Sequence, residues 1–361
     1  MRVVLDANSW AHGPQSHQHV VHGLIETWSA MYPQDDLIIV VRRKDLEKTA
    51  NLPPNVRAVS TRLWPHAIAA AFVVPWIARQ TRADAILAHS FSPVFGKNRA
   101  VMIQDLIFAT NPEWFSRREL LYYRWMTRLA RRADVVFSST AVEGQRISRF
   151  TRASHVVPVG LGISDEVLVG EQEPLIGLTS GSFMLTVGRL NVRKNLVGIL
   201  EGARQSRLLS PEFPLVIVGA RDGKSDTFPD WVNCEELLGH IVFTGFVSMA
   251  QLRWLIRNCT FYVSLSLDEG FGLPPIEARL AGASVLVSDR PVFRETLGDE
   301  ATYVDPTSPE AVGEAMASLA RRPSASIPPE PSFREKHTWH RTVSILRNEI
   351  LEIVSDSPSG S

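Results

Sequence analysis

The sequence predicts an α/β protein of two doubly wound parallel-sheet domains. Three observations carry that prediction. Short apolar runs alternate with helical patterns from end to end, and the runs lack the in–out alternation of a one-sided sheet. They also fall into two series, separated by a polar break. A length of 361 residues suits two domains at roughly 100–200 residues each.

The first series of candidate strands comprises Val3–Leu5, Leu37–Val41, Ala85–Ala88, Ala100–Ile103, Val135–Ser138 and Val156–Val159. The second comprises Phe183–Val187, Leu215–Val218, Ile241–Thr244, Phe261–Leu265, Val285–Ser288 and Thr302–Val304. Between them, apolar residues recur at helical spacing, as at Val20, Leu24, Ile25, Trp28 and Met31. The acidic, Gly- and Pro-containing stretch around 162–181 reads as the inter-domain linker, giving domains at 1–165 and 175–330. Arg322–Ser332 holds four prolines and reads as a second linker, before a final helix over 333–354. The closing SDSPSGS reads as a frayed tail.

The opening MRVVLDANSW has no apolar core of a secretory signal and reads as a strand. The most apolar stretch, Ala67–Ala78, contains Pro75 and falls short of the about 20 residues that span a bilayer, so it is buried or interfacial. Cys234 and Cys259 form no C-x-x-C, which suits a reducing compartment.

The 38 basic and 38 acidic side chains cancel, which argues against a nucleic-acid partner. The halves differ: residues 1–165 carry a net charge of +7 and residues 166–361 a net of −7. Arg117, Arg118, Arg124, Arg128, Arg131 and Arg132 fall in one segment. This is either a surface for an anionic acceptor or lipid face, or a solvated helix turning Leu121, Trp125 and Leu129 inward.

No P-loop, H-E-x-x-H, C-x-x-C or D-x-D is present, so spacing points to no metal site. Gly160-Leu161-Gly162 lacks the third glycine of a dinucleotide fingerprint and reads as a tight turn. The informative stretch is DEGFGLPPIEARLAG, Asp268–Gly282, which turns from a strand into a helix at about Leu273. Gly270 and Gly272 admit a ligand close to the backbone, and the amides of 270–273 stand at the positive end of the helix. Glu269 and Glu277 flank that turn, as acceptors for sugar hydroxyls or as complements to the helix dipole. In VGRLNVRKN, Arg189 and Lys194 follow the end of a strand, where ligands of open α/β sheets sit and where two cations can neutralise a diphosphate. Both segments lie in one half of the chain, each after a strand, so they can face one crevice.

These residues resemble the retaining nucleotide-sugar glycosyltransferases of the GT-B fold, family 4 (glycosyl transferases group 1). The E-x7-E signature stands as Glu269-GFGLPPI-Glu277, and the Arg and Lys pair as Arg189 and Lys194. HIVFTGFVSMAQL, LAGASVLVSDRPVFRETLGDEATYVDP and HTWHRT match further, most densely over 182–306. The resemblance implies two Rossmann-like domains facing a cleft, an N-terminal one for the acceptor and a C-terminal one for the donor, with the last helix crossing back to the first. It implies transfer of a sugar, with mannose as a guess, from a nucleotide-diphosphate donor to a glycan, lipid-linked or small-molecule acceptor. It implies no metal and no cofactor, and a cytoplasmic enzyme with peripheral contact at the inner membrane face. Arg189 and Lys194 would bind the diphosphate. Glu269, with the amides of Gly270, Phe271, Gly272 and Leu273, would hold the sugar and distal phosphate, and Glu277 the ribose. The base would lie near Phe246 and Val247.

The chain departs from the family at two places. The usually glycine-rich N-terminal loop is AHGPQSHQH, with Gly13 alone. Where many members carry His before Asp, this chain has Gln104-Asp105, and glutamine can hydrogen-bond a sugar but cannot shuttle protons. His89 nearby is a substitute or a packed structural histidine. An epimerase or phosphorylase on the same fold, or a non-catalytic relative, are the alternatives.

Overall fold

A computed structural model describes residues 1–189, 191–219, 228–322 and 328–356. The chain forms two compact units, Met1–Gly162 with Glu335–Ser361, and Ile163–Arg334.

The first unit is built on seven parallel strands: β1 (Arg2–Asp6), β2 (Asp36–Arg42), β3 (Val56–Thr61), β4 (Ala85–His89), β5 (Arg99–Ile103), β6 (Val135–Ser138) and β7 (Val156–Pro158). Their order is β3-β2-β1-β4-β5-β6-β7. Central strands such as Leu37–Val41 are wholly buried because helices cover both faces, which is why no alternation shows in the sequence. The helix Gln15–Met31 turns Val20, Val21, Leu24, Ile25 and Trp28 onto the sheet. β3 is the one strand without a sequence candidate. It is an edge strand with a half-exposed face, so RAVST needed little apolar content.

The expected single helix over 333–354 is two helices, Pro331–Lys336 and Trp339–Ser355. Thr338 breaks them apart, extended and accepting from Arg341 N at 3.3 Å as the cap of the second. The second helix is part of the first unit. Trp339 fills a slot walled by Gly23 and Gly162, where a Cβ would stand 2.0 and 2.3 Å from the nearest Trp339 atom. Arg347 donates to the wholly buried Asp35 at 2.7 and 3.1 Å, and the same carboxylate accepts from Trp28 Nε1 at 2.9 Å and from the terminal ammonium at 3.1 Å.

The second unit has six parallel strands: β8 (Met184–Val187), β9 (Leu215–Val218), β10 (Ile241–Gly245), β11 (Phe261–Ser264), β12 (Val285–Ser288) and β13 (Thr302–Val304). Their order is β10-β9-β8-β11-β12-β13. The second unit begins at Ile163, at the start of the stretch expected to be the linker. Its opening segment lies on the helix Met249–Asn258, whose Arg253 donates to Glu166 O and Glu171 O and whose Arg257 donates to Leu168 O. Guanidinium groups thus satisfy the carbonyls of a segment that looks loose in sequence. Of the second proline-rich stretch, 323–327 lie outside the described residues. Pro328 O accepts from Arg279, and Glu330 N donates to Glu300. Of SDSPSGS, Ser355 ends the last helix and 357–361 lie outside the described residues.

One helix turns the other way from expectation. In Arg117–Ala130 the inward face is Tyr122, Tyr123, Met126, Leu129 and Ala130, while Leu121 and Trp125 are exposed. The Ser116–Glu119 capping box starts the helix, and the tyrosines take the inward positions that Leu121 and Trp125 were expected to fill. Among the described residues, no helix is long and apolar enough to cross a membrane.

The Asp35 cluster yields a first prediction. Asp35→Ala leaves a half-buried guanidinium and a buried indole N–H without their acceptor, so unfolding free energy should drop by about 3–5 kcal/mol in chemical denaturation. Burial raises the Asp35 carboxyl, but Arg347, Trp28 and the terminal ammonium outweigh it and hold it low. The wild-type advantage is therefore present at neutral pH and lost as pH falls through the acid range.

Candidate active site

In the second unit the strand order reverses between β8 and β11, and ligands of open α/β sheets bind at such a switch point. The loops that leave these two strands carry the residues singled out in the sequence. After β8, Asn191 caps a single helical turn by accepting from Lys194 N at 3.1 Å. Asn195 closes it in the left-handed conformation, caps Leu196–Ser206 and donates to Pro306 O at 3.0 Å. Lys194 is thereby held at both ends of its turn.

The two loops are tied together. Leu267 N donates to Arg193 O at 2.8 Å, and Arg193 donates to Asp268 O at 3.2 Å. The buried Glu269 carboxylate accepts from Lys194 Nζ at 2.6 Å and from Arg193. Arg193 is a member of this cluster that the motif reading passed over. Arg189 lies directly beyond β8 with its side chain exposed.

Beyond Glu269, Gly270, Phe271 and Gly272 lead into the helix Leu273–Leu280, which starts where the sequence placed it. Gly272 takes φ 86°, and a Cβ there would stand 2.6 Å from the ring of Phe293, so the turn requires glycine. Pro274 and Pro275 occupy the first turn, where N–H groups have no partner inside the helix. Glu277 stands half-buried one turn further on.

β8, β9 and β10 each run out at a glycine, Gly188, Gly219 and Gly245. Gly219 N donates to Gly245 O at 3.0 Å, and a Cβ on Gly219 would stand 2.0 Å from Gly188 O. Phe246 is exposed and Val247 half-buried immediately past β10.

The charges of the site differ in their response to burial. Burial raises the Glu269 carboxyl, yet Arg193 and Lys194 outweigh it and bring it to about 2. Burial lowers Lys194, and Glu269 opposes that fall. Among the described residues Lys194 alone opposes the burial of Glu277, which is pushed up to about 7. One carboxylate is locked as an anion, and the other is poised to take or lose a proton near neutrality.

The first unit has its own polar cluster at its own switch point, between β1 and β4. Asp6, at the end of β1, accepts from Asn8 Nδ2 and from His66 at 2.7 Å each, and from Asn8 N at 3.1 Å. His89, at the end of β4, meets Gln104 Nε2 at 3.0 Å and packs its ring edge-on to His17 with centroids 4.6 Å apart. Burial raises Asp6, but His66 and Asn8 bring it to about 2. Burial lowers His17 to about 4 and takes His89 well below its ordinary value, so both rings are neutral at pH 7. Asp6, His17 and His66 were not anticipated, and only the place of Asp6 at a strand end hinted at the cluster. Gln104 is thus a hydrogen-bond partner of His89. Asp105 follows it, half-buried, at 3.4 Å from Ile107 N. Gly13 lies in the loop after β1 with φ 130° and accepts from Gln18 at 2.9 Å.

Residues 178–329 match the family of glycosyl transferases group 1. The chain is 26% identical over 234 residues to the O-antigen chain mannosyltransferase RfbU of Salmonella typhimurium, covering 63% of each protein. It is 25% identical over 239 residues to a GDP-mannose:cellobiosyl-diphosphopolyprenol alpha-mannosyltransferase of Xanthomonas campestris, covering 65% of this chain and 61% of that one. The matches thus span about three fifths of these relatives. Among solved structures, sucrose-phosphate synthase from Thermosynechococcus elongatus superposes with a TM-score of 0.69 at 16% identity, over 99% of this chain and 100% of that one. Anabaena HepE in complex with UDP and glucose gives 0.59 at 16% identity, over 98% and 97%. The fold is GT-B, with one parallel-sheet α/β unit of seven strands and one of six.

The contrast between the two glutamates is testable in the ligand-free protein. A carboxyl raised from 4.5 to about 7 disfavours the folded state as pH climbs through that interval. Glu277→Gln should therefore match wild-type stability below pH 5 and exceed it above pH 7, in thermal unfolding followed across pH.

Proposed function

We propose that this protein transfers a sugar from a nucleotide-diphosphate donor to an acceptor hydroxyl with retention of configuration. The donor proposed is GDP-mannose and the acceptor a glycan or a lipid-linked saccharide. The observation that carries the reading is the Lys194–Glu269–Arg193 cluster beside the glycine-lined start of the helix Leu273–Leu280. It puts fixed positive groups, backbone amides and a sugar-binding acid at one switch point. The named activities of the two mannosyltransferase relatives support the choice of sugar, and the diphosphopolyprenol acceptor of one supports a lipid-linked acceptor.

In this reading the second unit binds the donor. Lys194 and Arg189, joined by Arg193, meet the diphosphate, and Glu269 keeps Lys194 in place while facing the sugar. The amides of Gly270, Phe271, Gly272 and Leu273 receive the distal phosphate. Glu277 accepts from the ribose hydroxyls, and Val247 lies beside the base. The barrier falls because leaving-group charge grows against groups already oriented, without reorganisation during the reaction. The acceptor hydroxyl attacks the anomeric carbon on the face the diphosphate leaves, and its proton passes to the departing phosphate oxygen. No protein nucleophile is needed for that course.

In the first unit, which binds the acceptor, Gly13 is assigned to donor binding and Gln104 and Asp105 to catalysis. A neutral Gln104 linked to a neutral His89 can orient hydroxyls but cannot carry a proton at pH 7, which fits a step whose proton goes to the leaving group. The enzyme acts in the cytoplasm, in peripheral contact with the inner membrane face where lipid-linked acceptors reside.

Thermal stabilisation by a panel of nucleotide sugars tests the donor, with GDP-mannose expected to give the largest shift. Glu277→Ala should weaken donor binding by the worth of a charged hydrogen bond, about 1.5–3 kcal/mol or roughly 10- to 150-fold. Because the ribose is bound by the ionised form, wild-type kcat/KM should rise with pH through about 7, a step that Glu277→Gln removes. Lys194→Ala should act mainly on kcat, since the charge it meets grows in the transition state; an effect confined to KM would refute its role.

A further inference from the structure

We propose that the first unit docks on an anionic lipid bilayer through two neighbouring stripes that pair tryptophan with arginine. This deepens the membrane contact named above by assigning the surface and the lipid charge.

The first stripe lies on the helical stretch 66–80. Ala69, Ala70, Ala71, Val74, Ile77 and Ala78 are buried, while Ile68, Phe72 and Trp76 recur four residues apart on the outer side. Leu63 and Trp64 precede it, also exposed, with Trp64 at 61% and Trp76 at 53%. The second stripe is the outer face of Arg117–Ala130, where Leu121 is 65% and Trp125 50% exposed. The stripes belong to adjoining elements. Ala67 N donates to Tyr122 Oη at 3.2 Å, Val94 N to Ala71 O at 3.1 Å and Arg132 to Val94 O at 3.3 Å, with the exposed Phe95 beside that strap. Isolated exposed apolar residues are ordinary, but eight large ones on adjoining elements are not.

The charge on these elements has one sign. Residues 62–82 hold Arg62, Arg79 and Arg82 and no acid, and residues 117–132 hold six arginines against Glu119 alone. The guanidinium groups stand with the rings: Arg42 lies 4.2 Å from the Trp64 centroid and Arg128 5.6 Å from that of Trp125. A protein partner would meet a rim of mixed charge. A bilayer of anionic lipids meets a uniform basic field at its headgroups and takes the tryptophans at the interfacial level. Ala67–Ala78, read from its length as buried or interfacial, is buried on one side and presents Ile68, Phe72 and Trp76 on the other.

The test is co-sedimentation of the full chain with vesicles, with no nucleotide sugar present. Binding to vesicles of phosphatidylcholine with phosphatidylglycerol should exceed binding to phosphatidylcholine alone at least about tenfold and should fall in high salt. Arg124→Gln with Arg128→Gln should weaken it about 25-fold, at roughly fivefold per charge. Trp64→Ser with Trp76→Ser should weaken it at least about tenfold. These side chains are exposed, so melting temperature should stay at the wild-type value; if the tryptophan pair fails to fold, the arginine pair decides. Equal binding to neutral vesicles, or wild-type binding by the folded variants, would overturn the assignment. So would a dimer in light scattering that the tryptophan pair dissociates, since a second copy would then own the surface. Loss of vesicle binding with donor-induced stabilisation intact would leave the donor site standing, and the reverse result would leave the docking surface standing.

Discussion

The ion pair between Lys194 and Glu269 is the constraint on which the second unit's site depends. It joins loops that leave different strands on the two sides of a topological switch point, and it does so out of water. Alone, either charge would be costly there: a buried ammonium sheds its proton and a buried carboxylate gains one. Together, with Arg193 on the second carboxylate oxygen, they stay charged and fixed in position. The positive groups of the site are thereby oriented in the ligand-free protein, which is the economy of preorganised electrostatics.

The two units apply one topology to different chemistry. Each sheet reverses its order beside its first strand, and each places a buried polar cluster there. In the second unit the cluster is cationic around a single acid. In the first unit the Asp6 carboxylate accepts hydrogen bonds from His66 and Asn8, and His17 and His89 are held neutral by burial. The basic surplus of that unit instead lies partly on exposed helix faces, together with the tryptophans.

The strands of this protein were readable because a parallel sheet covered on both faces must be apolar throughout; all twelve candidates lie on strands, each within a residue of the observed bounds at either end. β3 escaped because an edge strand has no such requirement. The helix Arg117–Ala130 shows the limit of periodicity. Leu121 and Trp125 have the right spacing for a core face, but the tyrosines compete for the same interior, and spacing cannot say which of two faces wins. The segment after Gly162 resembled a linker because its stabilising partners, Arg253 and Arg257, are about 90 positions away.

The sequence alone determined the two-sheet architecture, the glycine turn into Leu273–Leu280 and the pairing of Glu269 and Glu277 on either side of it, because these rest on local stereochemistry and on spacing along one element. Only the tertiary structure decided that Arg193 joins Lys194 on Glu269, that Glu277 is buried beside Lys194, and that Asp6, His66 and His89 converge. Those outcomes depend on which loops a sheet brings together and how much water it excludes from them. Neither quantity is carried by residue order.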